Sequence, residues 1–217
     1  MKKLIAATIL ILAVLVNSCE PAATFDKPQP ENAISLTSFS AHLQGKYLSA
    51  DQASIVTISN ILITRYYDFD FKEHKDSLGS IYKLAGDTLI DIKDGTKEKV
   101  MVNGDTVIQH ANWTDTLFNL SAGNMLKKFR GYYFLNILHS EGAWEVKKLS
   151  LKNGMLTIGD ISGKEDIEKL KAISETAADS VSTHFTLTRK QFKQFVKSKG
   201  FSDEETFTRM KETAANK

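Results

Sequence analysis

The chain has 217 residues, carries 28 Lys and Arg against 26 Asp and Glu, and is 42% apolar. That length and apolar fraction allow a proper buried core, and the near balance of charge removes the electrostatic case for nucleic acid. A single cysteine excludes an intrachain disulfide.

Lys2 and Lys3 precede an apolar stretch, Leu4 to Val16, in which Thr8 is the one polar residue. Its thirteen residues are too few to cross a hydrocarbon core of about 30 Å, which takes about 20 helical residues. The length suits the apolar region of a signal peptide. Ser18, a small residue, then directly precedes Cys19, and the aliphatic Val16 lies three positions before it. Val16-Asn17-Ser18-Cys19 resembles the bacterial lipobox. The resemblance implies that residues 1–18 are a signal peptide, cut before Cys19 by signal peptidase II, and that Cys19 becomes the acylated first residue, with palmitate among its chains. One acyl chain anchors marginally, at ~0.8 kcal/mol per buried methylene, whereas two or three hold firmly. The membrane is then the first partner, and the expected location is the cell envelope: lipid-anchored to the outer membrane, on its periplasmic face or at the cell surface.

Loss of residues 1–18 removes Lys2 and Lys3 and no acid, so 28 basic residues fall to 26 against 26 acidic ones. The mature chain is formally neutral, and acylation consumes its only thiol.

Residues 19–40 hold all three prolines, Pro21, Pro28 and Pro30. Proline lacks a backbone donor and disfavours helix before it, so this stretch reads as an extended tether. Residues 41–161 contain no proline and read as an antiparallel β body. Ile61, Ile63, Tyr67, Phe69 and Phe71 alternate with Leu62, Thr64, Tyr66, Asp68 and Asp70, the pattern of a strand with one wet face. Arg65 interrupts the apolar side, at a rim or with a partner. Asn103-Gly104 and Asn153-Gly154 each sit between alternating runs and predict hairpins. Gly86-Asp87-Thr88-Leu89-Ile90 and Gly104-Asp105-Thr106-Val107-Ile108 repeat one turn-into-strand phrase. The expected class is mainly β (α+β): an antiparallel meander forming a barrel or sandwich.

Residues 162–217 change to helical spacing and read as the C-terminal part of the same domain, packed on the β body. Capping-box patterns open at Ser162, Thr188 and Ser202. They predict a helix bearing Ile167, Leu170 and Ile173, a second bearing Phe192 and Phe195 and ended by Gly200, and a third with Phe207 and Met210 inward. His184 to Leu187 reads as a short strand.

Candidate chemistry is sparse. Asp68 and Asp70 share one strand face and are the weak candidates for a hard cation, set against the plain reading of a solvated face. No two histidines have helical metal spacing, and there is no phosphate loop, G-x-S-x-G elbow or H-E-x-x-H. No catalytic residue and no cofactor is assigned. Asp-(Ser/Thr)-aliphatic triplets recur, with hydroxyls at Ser77, Thr88, Thr106, Thr116 and Ser180. They are similar to the acceptor motif for general O-glycosylation in Bacteroidota, although Asp and Thr also suit turns entering strands. The functional expectation is a non-enzymatic binding or assembly module that takes an envelope protein or a small apolar ligand. The alternative is a periplasmic or cell-surface hydrolase whose site is not visible in the sequence.

Overall fold

A computed structural model describes residues 21–139, 142–174 and 183–211. Residues 1–18, expected to be a signal peptide, Cys19 and Ser180 lie outside the described residues. The chain opens with β1 (Thr24–Phe25) and β2 (Ser35–Leu36), then runs through β3 (Gly45–Ser49) and β4 (Ser54–Ile58) into the long β5 (Leu62–His74). A small group follows, β6 (Tyr82–Ala85), β7 (Thr88–Asp91) and β8 (Lys97–Lys99), then β9 (Met101–Asn103) and the long return strand β10 (Thr106–Asn119). The meander β11 (Met125–Phe129), β12 (Tyr132–Leu138), β13 (Trp144–Lys152) and β14 (Met155–Asp160) leads to helix α1 (Lys164–Ser174), strand β15 (His184–Phe185), helix α2 (Arg189–Lys197) and strand β16 (Asp203–Arg209).

The main sheet runs in the order β2-β11-β12-β13-β14-β16-β3-β4-β5-β10-β9, with antiparallel neighbours throughout. It does not close. Its two halves face each other across one core, with Leu126, Tyr133, Leu135 and Leu149 on one side and Tyr47, Val56, Ile58, Ile63 and Phe118 on the other. The result is sandwich-like, not a closed barrel. The space where a barrel would hold an apolar ligand is filled by side chains such as Phe39, Tyr47 and Phe118, each at most 1% exposed.

The opposite face of β12 and β13 carries Phe134, Trp144 and Val146. It is covered by Phe25, Leu170, Phe185, Phe192, Phe195 and Phe201. Phe134 meets Phe192 edge-on at 5.0 Å between ring centres. Burying each such ring contributes about 1.5–3 kcal/mol, and this places the two helices on the sheet as their apolar spacing predicts. The capping box of α2 is complete: Thr188 Oγ1 accepts the Gln191 N–H, and the Gln191 side chain accepts the Thr188 N–H.

Three expectations need correction. The described part of the tether, residues 21–40, is fastened to the body. Phe25 is fully buried, β1 pairs with β13 and β15, and Lys127 Nζ donates to the carbonyls of Pro28 (2.7 Å) and Pro30 (3.0 Å). The segment's three prolines lack backbone donors, and contacts with the body, including those from Lys127, hold it in place. Residues 203–209, expected as a helix, form β16. Thr206, Phe207 and Thr208 favour a pleated surface, and the gap between β14 and β3 offers ladder partners on both sides, Leu156 and Ser49 flanking Phe207. Ser202 caps nothing there; its N–H (2.7 Å) and hydroxyl (3.0 Å) both go to Asp166 in α1. Finally, the loop expected at Asn103-Gly104 is shifted by one. Asn103 pairs with Thr106, so Gly104 and Asp105 form the turn, with Gly104 at φ 59°. Asn153 and Gly154 both have positive φ between Lys152 and Met155, as a type I′ turn requires.

Candidate functional site

Strands β5 and β10 pair along their whole length, but only Ile63 to Tyr67 of β5 is also paired with β4. The rest is an arm of two strands, widened by β9 at Thr106 to Ile108, and it carries the three-stranded sheet β6-β7-β8. Alternation sorts the arm into two faces. On one, Ile63 and Phe118 belong to the main core, and the same face continues outward through Arg65, Tyr67, Phe69 and Phe71. Its register places Tyr67 opposite Trp113, Phe69 opposite Ala111 and Phe71 opposite Gln109.

These rings form a continuous strip. Tyr67 stacks on Trp113 at 4.7 Å and 20°, Phe69 meets Trp113 edge-on at 5.4 Å, and Phe69 meets Phe71 at 4.7 Å. The indole N–H donates to Asp115 Oδ2 at 3.2 Å. Phe71 remains 50% exposed and Trp113 42%. Beyond Phe71 the strip opens into a cavity of about 180 Å³ lined by Leu78, Tyr82, Leu89 and Val107.

At its inner end the strip meets a charged cleft of about 290 Å³ with Arg65, Lys147, Asp160, Asp203 and Glu205 around Leu117, Leu135 and Ile158. Arg65 Nη1 donates to both oxygens of Glu205 (3.0 and 2.9 Å), and its Nε donates to Ser54 Oγ (3.0 Å). The guanidinium lies 4.8 Å from the Tyr67 ring centre. Arg65 is therefore both at a rim and paired. Lys147 bridges Glu145 (2.8 Å) and Asp160. Burial opposes its charge, but the two carboxylates outweigh it and hold its pKa above the usual lysine range. Asp203 accepts from Ser162 Oγ at 2.7 Å. The cleft's acids are thus engaged by cations or hydroxyls, which suits recognition of polar groups better than proton transfer.

Asp68 and Asp70 do share a face, the other face of the arm, with His110 between them at 3.5 and 3.1 Å. Among the described residues, no group of three His, Cys, Asp or Glu side chains is arranged to hold a metal ion. Of the candidate glycan acceptors, Ser77 and Thr116 are exposed, and Thr88 and Thr106 are half-buried. The aliphatic residues that follow three of them, Leu78, Leu89 and Val107, build the small core of the β6-β7-β8 group together with Val100. The repeated phrase thus has a folding role: Gly86-Asp87 and Gly104-Asp105 are both two-residue hairpin loops, followed by Thr and a buried aliphatic residue.

Among the described residues, the nearest approach to a nucleophile arrangement is Thr24, His184 and Asp26. Thr24 Oγ1 lies 2.9 Å from His184 Nδ1, and Asp26 contacts both His184 Nε2 and Thr186 Oγ1. The hydrogen bond from Thr186, followed by the His184 contacts, holds the Asp26 carboxyl below its usual range against the opposing effect of burial. Asp26 and His184 are exposed and line none of the clefts described above.

The alternation of β5 revealed half the strip in advance. Trp113 was missed because Gln109, Ala111, Trp113 and Asp115 alternate without a consistently apolar face. Glu205 was missed because its segment read as helix. No family model, curated protein or solved structure matches the chain.

Proposed function

We propose that the protein is a lipid-anchored envelope lipoprotein whose β domain is a non-enzymatic binding or assembly module, and that it engages an envelope partner through the aromatic strip of the β5–β10 arm. The observation that carries this reading is the exposure of Trp113 and Phe71 in an otherwise packed run of rings. Exposed aromatics in contiguous patches are characteristic of binding surfaces. The filled core of the sheet favours a surface partner over an enclosed apolar ligand.

The test is recovery of partners from detergent-solubilised native membranes. Trp113→Ser combined with Phe71→Ser should lose a partner that Ile34→Ser, a change at another exposed apolar residue, retains. Equal recovery by both would overturn the assignment to the arm. The anchor is tested separately. Cys19→Ala should release the protein from membranes, and retention after a salt wash would overturn that half of the proposal. Intact mass of the native protein reports acylation at Cys19 and any glycan at Ser77, Thr88, Thr106, Thr116 or Ser180 in one measurement.

The Thr24, His184 and Asp26 contacts favour a second reading, a surface hydrolase. An active protein should lose its turnover of ester substrates with Thr24→Val; undiminished turnover, or none in the native protein, removes this reading.

A further inference from the structure

Chain length limits how far the proposed anchor can stand from the fold. Ala23, only four residues after Cys19, is 2% exposed and packs in the cluster of Phe25, Leu170 and Phe192. Thr24 donates its N–H to the Thr183 carbonyl at 2.9 Å, and the Phe25 ring centre lies 6.4 Å from that of Phe192 in α2. Four residues span at most about 14 Å, little more than the thickness of one helix with its side chains, about 10–12 Å. An acylated Cys19 therefore holds the domain close to the bilayer. The part held closest is the layer that contains Ala23: β1, β15, α1 and α2, packed on the outer face of β12 and β13.

That layer carries a cationic stripe. Helix α2 buries Phe192 and Phe195. Lys190, Lys193 and Lys197, spaced i, i+3 and i+7, run along its opposite side, with Lys190 and Lys197 exposed and Lys193 half-buried. Lys199, just past the helix, is exposed as well. Residues 189–199 contain no Asp or Glu. Among the described residues, none of these four lysines is in an ion pair. Carboxylates on the adjoining elements are already engaged: Glu165 with Lys169 (2.8 Å), Glu168 with Lys164 (3.7 Å), and Asp26 with His184 and Thr186. The stripe is therefore left to an outside anion, although the mature chain as a whole is formally neutral.

We infer that the Lys190, Lys193 and Lys197 stripe of α2, with Lys199, rests on the anionic headgroups of the bilayer that holds Cys19. The inference rests on the acyl anchor proposed above. An acyl chain and a basic patch reinforce one another at a membrane, and each lysine beside an anionic surface strengthens binding about five-fold. The half of the sandwich formed by β3, β4, β5 and β10 lies across the main core from this layer. Contact through α2 therefore leaves the β5–β10 arm rooted in the half remote from the bilayer.

The test uses the acylated protein, in which an introduced cysteine is the only free thiol, bound to phosphatidylcholine vesicles with or without phosphatidylglycerol. Gln194→Cys is exposed on the lysine side of α2 and keeps every cation; Lys93→Cys, exposed between β7 and β8, is the control. A fluorophore at either position reads its distance from a quencher attached to lipid headgroups. On vesicles containing phosphatidylglycerol, quenching should be several-fold stronger at Gln194→Cys than at Lys93→Cys. Changing Lys190, Lys193 and Lys197 to Gln should lower the docked population about a hundred-fold, at about five-fold each, and remove that difference with an unchanged circular dichroism spectrum. Protein that floats with neutral vesicles, yet is quenched equally at the two positions on anionic ones or regardless of the three lysines, would overturn the inference and leave the anchor standing. Protein that does not float with neutral vesicles would overturn the anchor and the inference with it.

Discussion

Asn136 holds the main chain of Gln29 from both sides. Its side-chain carbonyl accepts the Gln29 N–H, and its amide donates to the Gln29 carbonyl at 2.9 Å, with both residues almost wholly buried. The contact spans more than a hundred residues of sequence and fixes the N-terminal segment to β12. Replacing Asn136 with Ala strands two buried main-chain groups, each costing about 1–3 kcal/mol, so a loss of roughly 2–6 kcal/mol is expected in urea unfolding. Residues 21–36 should also become more susceptible to proteolysis. Unchanged stability would mean that the segment is not integral to the fold.

Gly200 is kept small by Phe195. A Cβ built on Gly200 would lie 2.4 Å from two carbons of that buried ring and 2.6 Å from a third. Gly200→Ala should therefore destabilise by about 1–3 kcal/mol, the usual cost of overpacking. Combining it with Phe195→Leu should restore part of that loss, a non-additivity that a double-mutant cycle measures. Simple additivity would place the cost elsewhere.

The same glycine shows how far the sequence could be read. The spacing marks Gly200 as the end of α2, but the left-handed position that closes the helix is Lys199, at φ 58°; Gly200 is required by a ring five residues earlier, a tertiary contact that spacing does not reveal. Local rules served well where a segment's structure is decided by its own residues: the two faces of β5, the Asn153-Gly154 hairpin and the Thr188 capping box. They failed where a neighbour decided. Ser202 has capping-box spacing, yet the vacancy between β14 and β3 draws the following residues into a strand. Residues 21–40 have a linker's composition, yet Asn136 and Lys127 supply the partners that their backbone lacks. The candidate site divides the same way. Tyr67, Phe69 and Phe71 were legible as one face, while Trp113 and Glu205 joined them only through strand register.

Lys147 should make stability depend on alkaline pH. Its folded pKa is raised above 10.5 because Glu145 and Asp160 outweigh its burial. A raised lysine contributes stability that is fully present below the unfolded value and lost as pH rises through the folded one. In urea unfolding, the native protein should exceed Lys147→Met by a constant margin from neutral pH up to about 10.5, and the margin should close above that. A margin that stays constant above about 10.5 as well would show that Lys147 acts through its methylenes and not through its charge.

The β6-β7-β8 group should open independently of the main sheet. Its core is Leu78, Leu89, Val100 and Val107, with Leu84 partly buried against them, and it hangs from an arm of two strands. A core of this size supports little stability, and segments of this kind open sub-globally. Leu89→Ala removes about 2 kcal/mol or more, which corresponds to roughly thirty-fold faster amide exchange if the loss is confined to the group. The expected result is acceleration across β6 to β8 with unchanged exchange at Tyr47, Val56 and Leu149 in the main core. Equal acceleration at both would make the arm and the body one cooperative unit. Phe71 and Tyr82 line the cavity on this group, so independent opening would let the outer end of the aromatic strip adjust to a partner while Arg65 and Glu205 stay fixed at its inner end.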